Sequence, residues 1–161
     1  MIRPMLPSDQ TRILQIYAQS LEAGDATFTK DLPTWEKWDL DHHQDCRLVY
    51  ERNGQVLGFA VISPTSTKAH FRGVVEDSVY VDRAHRGQGF GLALLQALCD
   101  AVDAAGYWTI YSSIFPENLG SMAIHEKCGF RIIGKREKIA QDIFGIWRDT
   151  VILERRSSIG L

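Results

Sequence analysis

Most of the usual signposts of a specialised chain are missing from these 161 residues. Only three cysteines occur, Cys46, Cys99 and Cys128, with no C-x-x-C pair and no metal-ribbon spacing. An odd, scattered set speaks against a disulfide framework or a structural zinc site and points to reduced thiols in or near the core. No apolar run approaches the ~20 residues of a membrane span. The opening MIRPMLPSDQ lacks the apolar stretch of a signal peptide, so the cytoplasm is the expected compartment and no membrane partner is expected. Neither charge sign dominates, with 18 Lys and Arg against 20 Asp and Glu. Without a basic field, nucleic acid is not an expected partner either. Repeats, low-complexity tracts and linkers are also lacking, so a single domain over residues 1–161 is expected.

What is present reads as a globular chain, 45% hydrophobic and 24% charged. "IRPML" reads as a short strand. Ser8 or Asp9 is placed to cap a helix whose apolar face carries Ile13, Leu14, Ile16, Tyr17 and Leu21. A loop, "GDATFTKDLP", leads to a second helix starting near Thr34. Two apolar runs flank Asn53-Gly54, a dipeptide suited to a type I′ turn, and predict a hairpin. A long strand over about Phe71–Val81 is followed by a glycine turn and a helix to about Ala105. "YWTIYSSIF" reads as a strand and "ENLGSMAIHEKCG" as a short helix stopped by Gly129. "FRIIGKREKI" and "WRDTVILERR" close the chain as strands. The order β-α-α-β-β-β-α-β-α-β-β predicts an α/β fold with a mixed sheet and helices on its faces. His42-His43 suggests metal ligation at first sight, but adjacent helix positions diverge and no third ligand is evident, so no metal is expected.

The glycine turn, "RGQGFG" from Arg86 to Gly91, carries chemical information. A helix start offers unpaired N–H groups and the positive end of the dipole. Removing Cβ atoms there lets a bulky anion such as a pyrophosphate rest on the amides, and Arg86 adds a cation. Tight packing is the plainer reading of the same glycines. No Lys-Ser/Thr follows, so a Walker A loop is disfavoured, and the spacing does not match a dinucleotide fingerprint.

Arg86, Gly89 and Gly91 satisfy [QR]-x-x-G-x-[GA] directly after the strand "DSVYVD". About thirty residues on, Asn118 precedes a helix ending in Gly129-Phe130. These two segments resemble motifs A and B of the GCN5-related N-acetyltransferases (GNAT). "FRGVVEDSVYV", "IHEKCGF" and "GIWRDTVILE" narrow the resemblance to the phosphinothricin and methionine sulfoximine acetyltransferase branch. The resemblance implies a central mixed sheet of about seven strands with about four helices, acetyl-CoA as co-substrate, no metal, and, by analogy only, a homodimer.

It also implies site residues. Glu76 is the first choice for the base that takes the ammonium proton, since a carboxylate in a half-buried strand has its pKa raised. A solvent-facing strand position is the bland alternative. His125 stands where many members carry Tyr, and its role stays open between base and acid for the thiolate. Arg72 is a candidate for forking onto a substrate carboxylate, against a plain surface arginine. Phe28 and Tyr80, together with Glu76, are candidates to line the substrate pocket, with core packing an equal alternative for the two aromatics. Trp147 is a weaker candidate. Val79 and Val81 would supply strand amides to the thioester. Arg86, Gly87, Gln88, Gly89, Gly91 and Leu92 would hold the pyrophosphate. Asn118 would bond the pantetheine arm, unless it merely caps its helix.

The expected reaction is transfer of acetyl from acetyl-CoA to the α-amine of a small amino acid or analogue. A transferase acting on a protein N-terminus or lysine would share the cofactor site but need a peptide groove. A non-catalytic acyl-CoA binding module would bind without turnover.

Overall fold

A computed structural model describes residues 1–159. The strands are β1 (Ile2–Pro4), β2 (Leu48–Arg52), β3 (Gln55–Pro64), β4 (Val74–Val81), β5 (Thr109–Ile114), β6 (Arg131–Gln141) and β7 (Trp147–Arg156). The helices are α1 (Gln10–Ala23), α2 (Trp35–Asp41), α3 (Phe90–Ala104) and α4 (Leu119–Lys127). The element order matches the expected one. The strands form one sheet in the order β1-β2-β3-β4-β5-β7-β6, and β4–β5 is its parallel pair.

Strand alternation divides the core into two layers. Phe59 and Val61 of β3 join Ile13 and Ile16 of α1 and Trp38 of α2 on one face. Ala60 and Ile62 join Leu94, Leu95, Leu98 and Val102 of α3 on the other. The same alternation on β4 sends Tyr80 to the α1 layer and Val75, Val79 and Val81 to the α3 layer. Glu76 and Asp77 therefore leave β4 on opposite faces.

Local chemistry follows the sequence closely at several points. Asn53 and Gly54 both take positive φ, 52° and 75°, as a type I′ turn demands. Thr34 caps α2 by accepting from the Lys37 N–H at 3.2 Å. Three expectations shift. The stretch before β4 is a short 3-10 turn, Ala69–Phe71, so the strand starts at Val74. Asp9 precedes α1 without capping it; its carboxylate instead accepts from the Leu6 N–H and pairs with Arg3, which fixes β1 beside α1. α2 ends at Asp41, because His42 turns extended and bonds Trp38 O through its ring.

One topological detail makes the site. β4 and β5 pair only over Val74–Glu76 and Thr109–Tyr111. Beyond that, β4 stays with β3 to Val81 and β5 stays with β7 to Ile114. The sheet parts there, and the helices that follow the parted strands, α3 and α4, begin beside the gap.

Candidate active site

The gap exposes backbone donors. The Asp82 N–H bonds Leu57 O at 2.8 Å, and Gly58 stands opposite Val81. Antiparallel strands alternate bonded and non-bonded pairs, so Val81–Gly58 and Val79–Ala60 are non-bonded pairs. The N–H groups of Val79 and Val81 consequently point away from β3, into the space β5 has left.

The turn after β4 is held in place from below. Asp82 accepts from the Ala84 N–H at 2.8 Å and is ion-paired with Arg12 of α1. Gly87 and Gly89 then take φ of 75° and 84°, a left-handed conformation that side-chain-bearing residues rarely adopt, and nothing lies within 4 Å of where their Cβ atoms would be. α3 starts immediately after, with the N–H groups of Phe90, Gly91 and Leu92 lacking helical acceptors. A cavity of about 340 Å³ is lined by Val79, Val81, Arg86, Gly87, Gly89, Gly91, Leu92 and Asn118. These donors, the cleared Cβ space and one arginine fit an anionic pyrophosphate and the amide-rich arm attached to it. Gln88 is the exception among the expected cofactor residues: it lies outside this lining, exposed, with its side-chain oxygen accepting from Arg52 at 3.4 Å.

A second cavity of about 310 Å³ adjoins the first, sharing Ala26, Val79, Tyr80, Asn118 and Ser121. Its lining includes Phe28, Glu76, Asp77, Tyr80, Ser112 and His125. Phe28 reaches it from the loop after α1 and meets Phe115 edge-on, with ring centroids 4.9 Å apart. Tyr80 fills a double role, lining the cavity while its ring packs 5.3 Å from Tyr17 and 5.5 Å from Phe59. Thr27, Thr29, Ser63, Ser78, Ser113 and Thr150 also line it, which makes the lining largely polar.

Glu76 is half-buried in this cavity. Burial, and then the negative charge of Asp77, push its carboxyl up to about 7, while Arg136 pulls in the opposite direction. A carboxyl titrating near neutrality is suited to accept a proton. His125 is buried at 3% exposure. Its Nε2 lies 2.7 Å from Asp77 Oδ2 and its Nδ1 lies 2.7 Å from Ser121 O. Burial alone would lower its pKa, but the Asp77 hydrogen bond and charge, with the Ser121 carbonyl, outweigh burial and raise it. Asp77 was not singled out from the sequence. Its only signal there was a second carboxylate beside Glu76, which strand alternation sends to the other face.

Asn118 does both things weighed for it. Its Oδ1 caps α4 by accepting from the Ser121 N–H at 3.2 Å, and the residue lines both cavities. Arg72 is not brought to the cleft. It sits beyond the start of β4, exposed, with its guanidinium 5.4 Å from the centroid of Trp108 and one N–H on Ala69 O. Trp147 is likewise outside, 57% exposed at the start of β7. Among the described residues, no lysine or arginine lines the 310 Å³ cavity. Arg136 is the cation whose charge reaches Glu76, and it stands across from Thr150, which does line the cavity.

Comparison with known proteins agrees with this geometry. The model of the acetyltransferase (GNAT) family matches residues 11–130. An L-methionine sulfoximine/L-methionine sulfone acetyltransferase of Pseudomonas paraeruginosa is 38% identical over 159 residues, covering 95% of this chain and 92% of the relative. A phosphinothricin acetyltransferase of Sinorhizobium meliloti, solved in complex with acetyl-CoA, superposes with a TM-score of 0.90 at 28% identity, over 99% of this chain and 89% of its own. A ribosomal-protein-alanine N-acetyltransferase of Brucella melitensis superposes equally well, with a TM-score of 0.90 at 30% identity over 97% and 99% of the two chains.

Proposed function

Since the chain belongs to the acetyltransferase (GNAT) family and is an acetyl-CoA-dependent N-acetyltransferase, we propose that its acceptor is the α-amine of a small amino acid or analogue of the methionine sulfoximine, methionine sulfone or phosphinothricin type. The observation that carries this reading is the polar cavity around Glu76, closed by Phe28 and continuous with the glycine-turn cavity. It is the size of a small polar acceptor. The 38% identity with a methionine sulfoximine/sulfone acetyltransferase over most of both chains supports the same substrate class.

Acetyl-CoA supplies an activated acetyl group as a thioester. The residues of this chain do the rest. The α3 N-terminus, Gly87, Gly89 and Arg86 hold the pyrophosphate, and Asn118 bonds the arm. The Val81 N–H takes the acetyl carbonyl and stabilises the charge that grows on it. Glu76, ionised above about pH 7, takes the proton from the incoming ammonium, directly or through one water. Tyr80 and Phe28 shape the acceptor pocket. Arg136, whose charge reaches Glu76 from beside the cavity, is our candidate for the acceptor carboxylate in place of Arg72. His125 is the proton donor for the departing thiolate.

We also read the enzyme as a cytoplasmic homodimer. Ile133 and Ile139 of the edge strand β6 and Trp147 of β7 are about half exposed, and covering such apolar side chains favours association with a second copy. No helix among the described residues is long and apolar enough to cross a membrane.

The test is release of free thiol from acetyl-CoA with a panel of amino acids, the three analogues, and peptides beginning with alanine. Acetylation of a free amino acid or analogue is expected. The likeness to a ribosomal-protein-alanine acetyltransferase makes the peptide arm the meaningful alternative: turnover of peptides alone would overturn the small-acceptor reading.

A further inference from the structure

The buried contact between Asp77 and His125 is more constrained than a histidine near a cleft needs to be. Each ring nitrogen of His125 faces an acceptor. The Ser121 carbonyl at 2.7 Å can only accept, so Nδ1 carries a hydrogen. The Asp77 carboxylate at 2.7 Å takes the hydrogen on Nε2. A ring with hydrogens on both nitrogens is an imidazolium and has no lone pair to offer a substrate. Asp77 depends on this ring in return. Its Oδ2 is bonded to Nε2, whereas its Oδ1 is buried with no partner. An under-satisfied buried carboxylate is expensive, and the ring's positive charge is what offsets it.

Among the described residues, no competing cation is in direct contact with the pair. Glu76 stands next to Asp77 on β4, Ser112 faces the ring from β5, and the Phe130 ring meets it edge-on with centroids 4.8 Å apart. The Cys99 thiol on α3 and the Cys128 thiol on α4 both feel the Asp77 charge, and both have raised pKa values, chiefly through burial, so they stay neutral near pH 7. Arg155 acts on those thiols and is forked onto Asp103. Two hydroxyls lie beside the ring. Ser112 Oγ is 3.2 Å from Nε2 and Ser112 lines the 310 Å³ cavity. Ser121 Oγ is 3.4 Å from Nδ1 and Ser121 lines both cavities, but the Nδ1 hydrogen is engaged by the Ser121 carbonyl at 2.7 Å, which leaves Ser112 as the route out.

We propose that Asp77 is a positioning residue for the acetyl transfer: with the Ser121 carbonyl it occupies both nitrogens of His125, which makes the ring the proton donor to the leaving thiolate, through the Ser112 hydroxyl, and rules it out as the base for the amine. This rests on the acetyltransferase reading above. The acceptor nitrogen forms the new C–N bond and gives up its proton to Glu76. The C–S bond breaks with its electron pair going to sulfur. Sulfur takes the Ser112 proton, Ser112 regains one from Nε2, and the ring keeps its hydrogen on Ser121. The neutral ring then faces a carboxylate with a lone pair, which favours prompt recovery of a proton from solvent once products leave.

The test combines ring NMR with kinetics. In ¹⁵N-histidine-labelled enzyme, both His125 nitrogens are expected to show the protonated signature throughout pH 6–8. In Asp77→Asn the ring is expected to become neutral within that range. The alkaline limb of the kcat profile moves to lower pH in this variant, with at least a tenfold loss of kcat at pH 8.5. Its acid limb also moves down, because the Asp77 charge is one of the causes that raise Glu76. Ser112→Ala is expected to lower kcat while leaving both KM values within twofold. A neutral His125 in the unaltered enzyme at pH 7 would overturn the proposal even if Asp77→Asn did not fold. An alkaline limb that stays put in a folded Asp77→Asn would overturn it too, and an unchanged kcat in Ser112→Ala would remove the serine route. The NMR reading needs no turnover. A charged ring in a protein that acetylates no amine would therefore sink the function and not the pairing.

Discussion

Gly58 on β3 lies so close under β4 that a Cβ there would stand 2.9 Å from the Tyr80 carbonyl oxygen and 3.0 Å from Leu94 Cδ1. The glycine lets the two strands meet at the Gly58–Val81 pair, and that pairing points the Val81 N–H into the gap. Gly58→Ala must push β4 or α3 aside. Overpacking of this kind costs about 1–3 kcal/mol, which urea denaturation would report. The same shift misaims the Val81 amide, so acetyl-CoA binding, followed by calorimetry, weakens together with stability.

A different outcome is expected at the turn. Gly89 has open space around its Cβ position but a φ of 84°. Gly89→Ala therefore meets only backbone strain of ~1–2 kcal/mol. The KM for acetyl-CoA rises tenfold or more, because the relaxed turn no longer presents its amides, while the KM for the amine stays within twofold. Steady-state kinetics with each substrate varied separately distinguishes the two.

Glu76 gives a prediction with opposite signs for rate and stability. Loss of a general base lowers turnover by roughly 10²–10⁴-fold, so Glu76→Gln loses most of kcat. In the unaltered enzyme, kcat/KM rises with pH through about 7, the point to which burial and Asp77 push this carboxyl. The folded pKa is raised above the unfolded value, so folding favours the protonated form. The stability Glu76 contributes is complete below the unfolded pKa and is lost as pH rises through about 7. Melting temperatures at pH 5 and pH 8 check this: Glu76→Gln gains on the unaltered enzyme as pH rises.

Arg72 and Arg136 separate two accounts of acceptor recognition. Arg72→Ala frees the face of Trp108 but leaves the amino-acid KM within twofold. Arg136→Ala raises that KM at least fivefold. It also moves the acid limb of the rate profile upward, since Arg136 is the group that lowers the Glu76 pKa. A large KM increase in Arg72→Ala alone would return the carboxylate to Arg72.

Short-range chemistry was readable in advance wherever backbone constraints leave few options. Asn53-Gly54 made its hairpin because both positions need positive φ. Gly87 and Gly89 sit in left-handed conformations for the same reason. Thr34 capped its helix, and the apolar spacing of Phe90, Leu94, Leu95, Leu98 and Val102 found the buried face of α3. Asp9 defeated the helix-cap reading because partners upstream, the Arg3 guanidinium and the Leu6 N–H, took the carboxylate that a cap would have used. Arg72 was a different case: the family resemblance implied a carboxylate-binding role for it, but the chain turns at Ala69–Phe71 and leaves its guanidinium on Trp108.

The sequence by itself determined the element order and the glycine turn, and it marked Glu76 and His125 as candidates, because these depend on backbone conformations and on motifs contained within a few residues. Only the tertiary structure decided what those residues can do. β4 and β5 part after Glu76, which frees strand amides as donors, while burial and the neighbouring Asp77 charge turn a strand carboxylate into a group that titrates near 7. Asp77 and His125 are 48 residues apart in the chain. Their meeting, which fixes where the imidazole proton sits, depends on α4 docking against the opened sheet, and no local pattern encodes a distance of that kind.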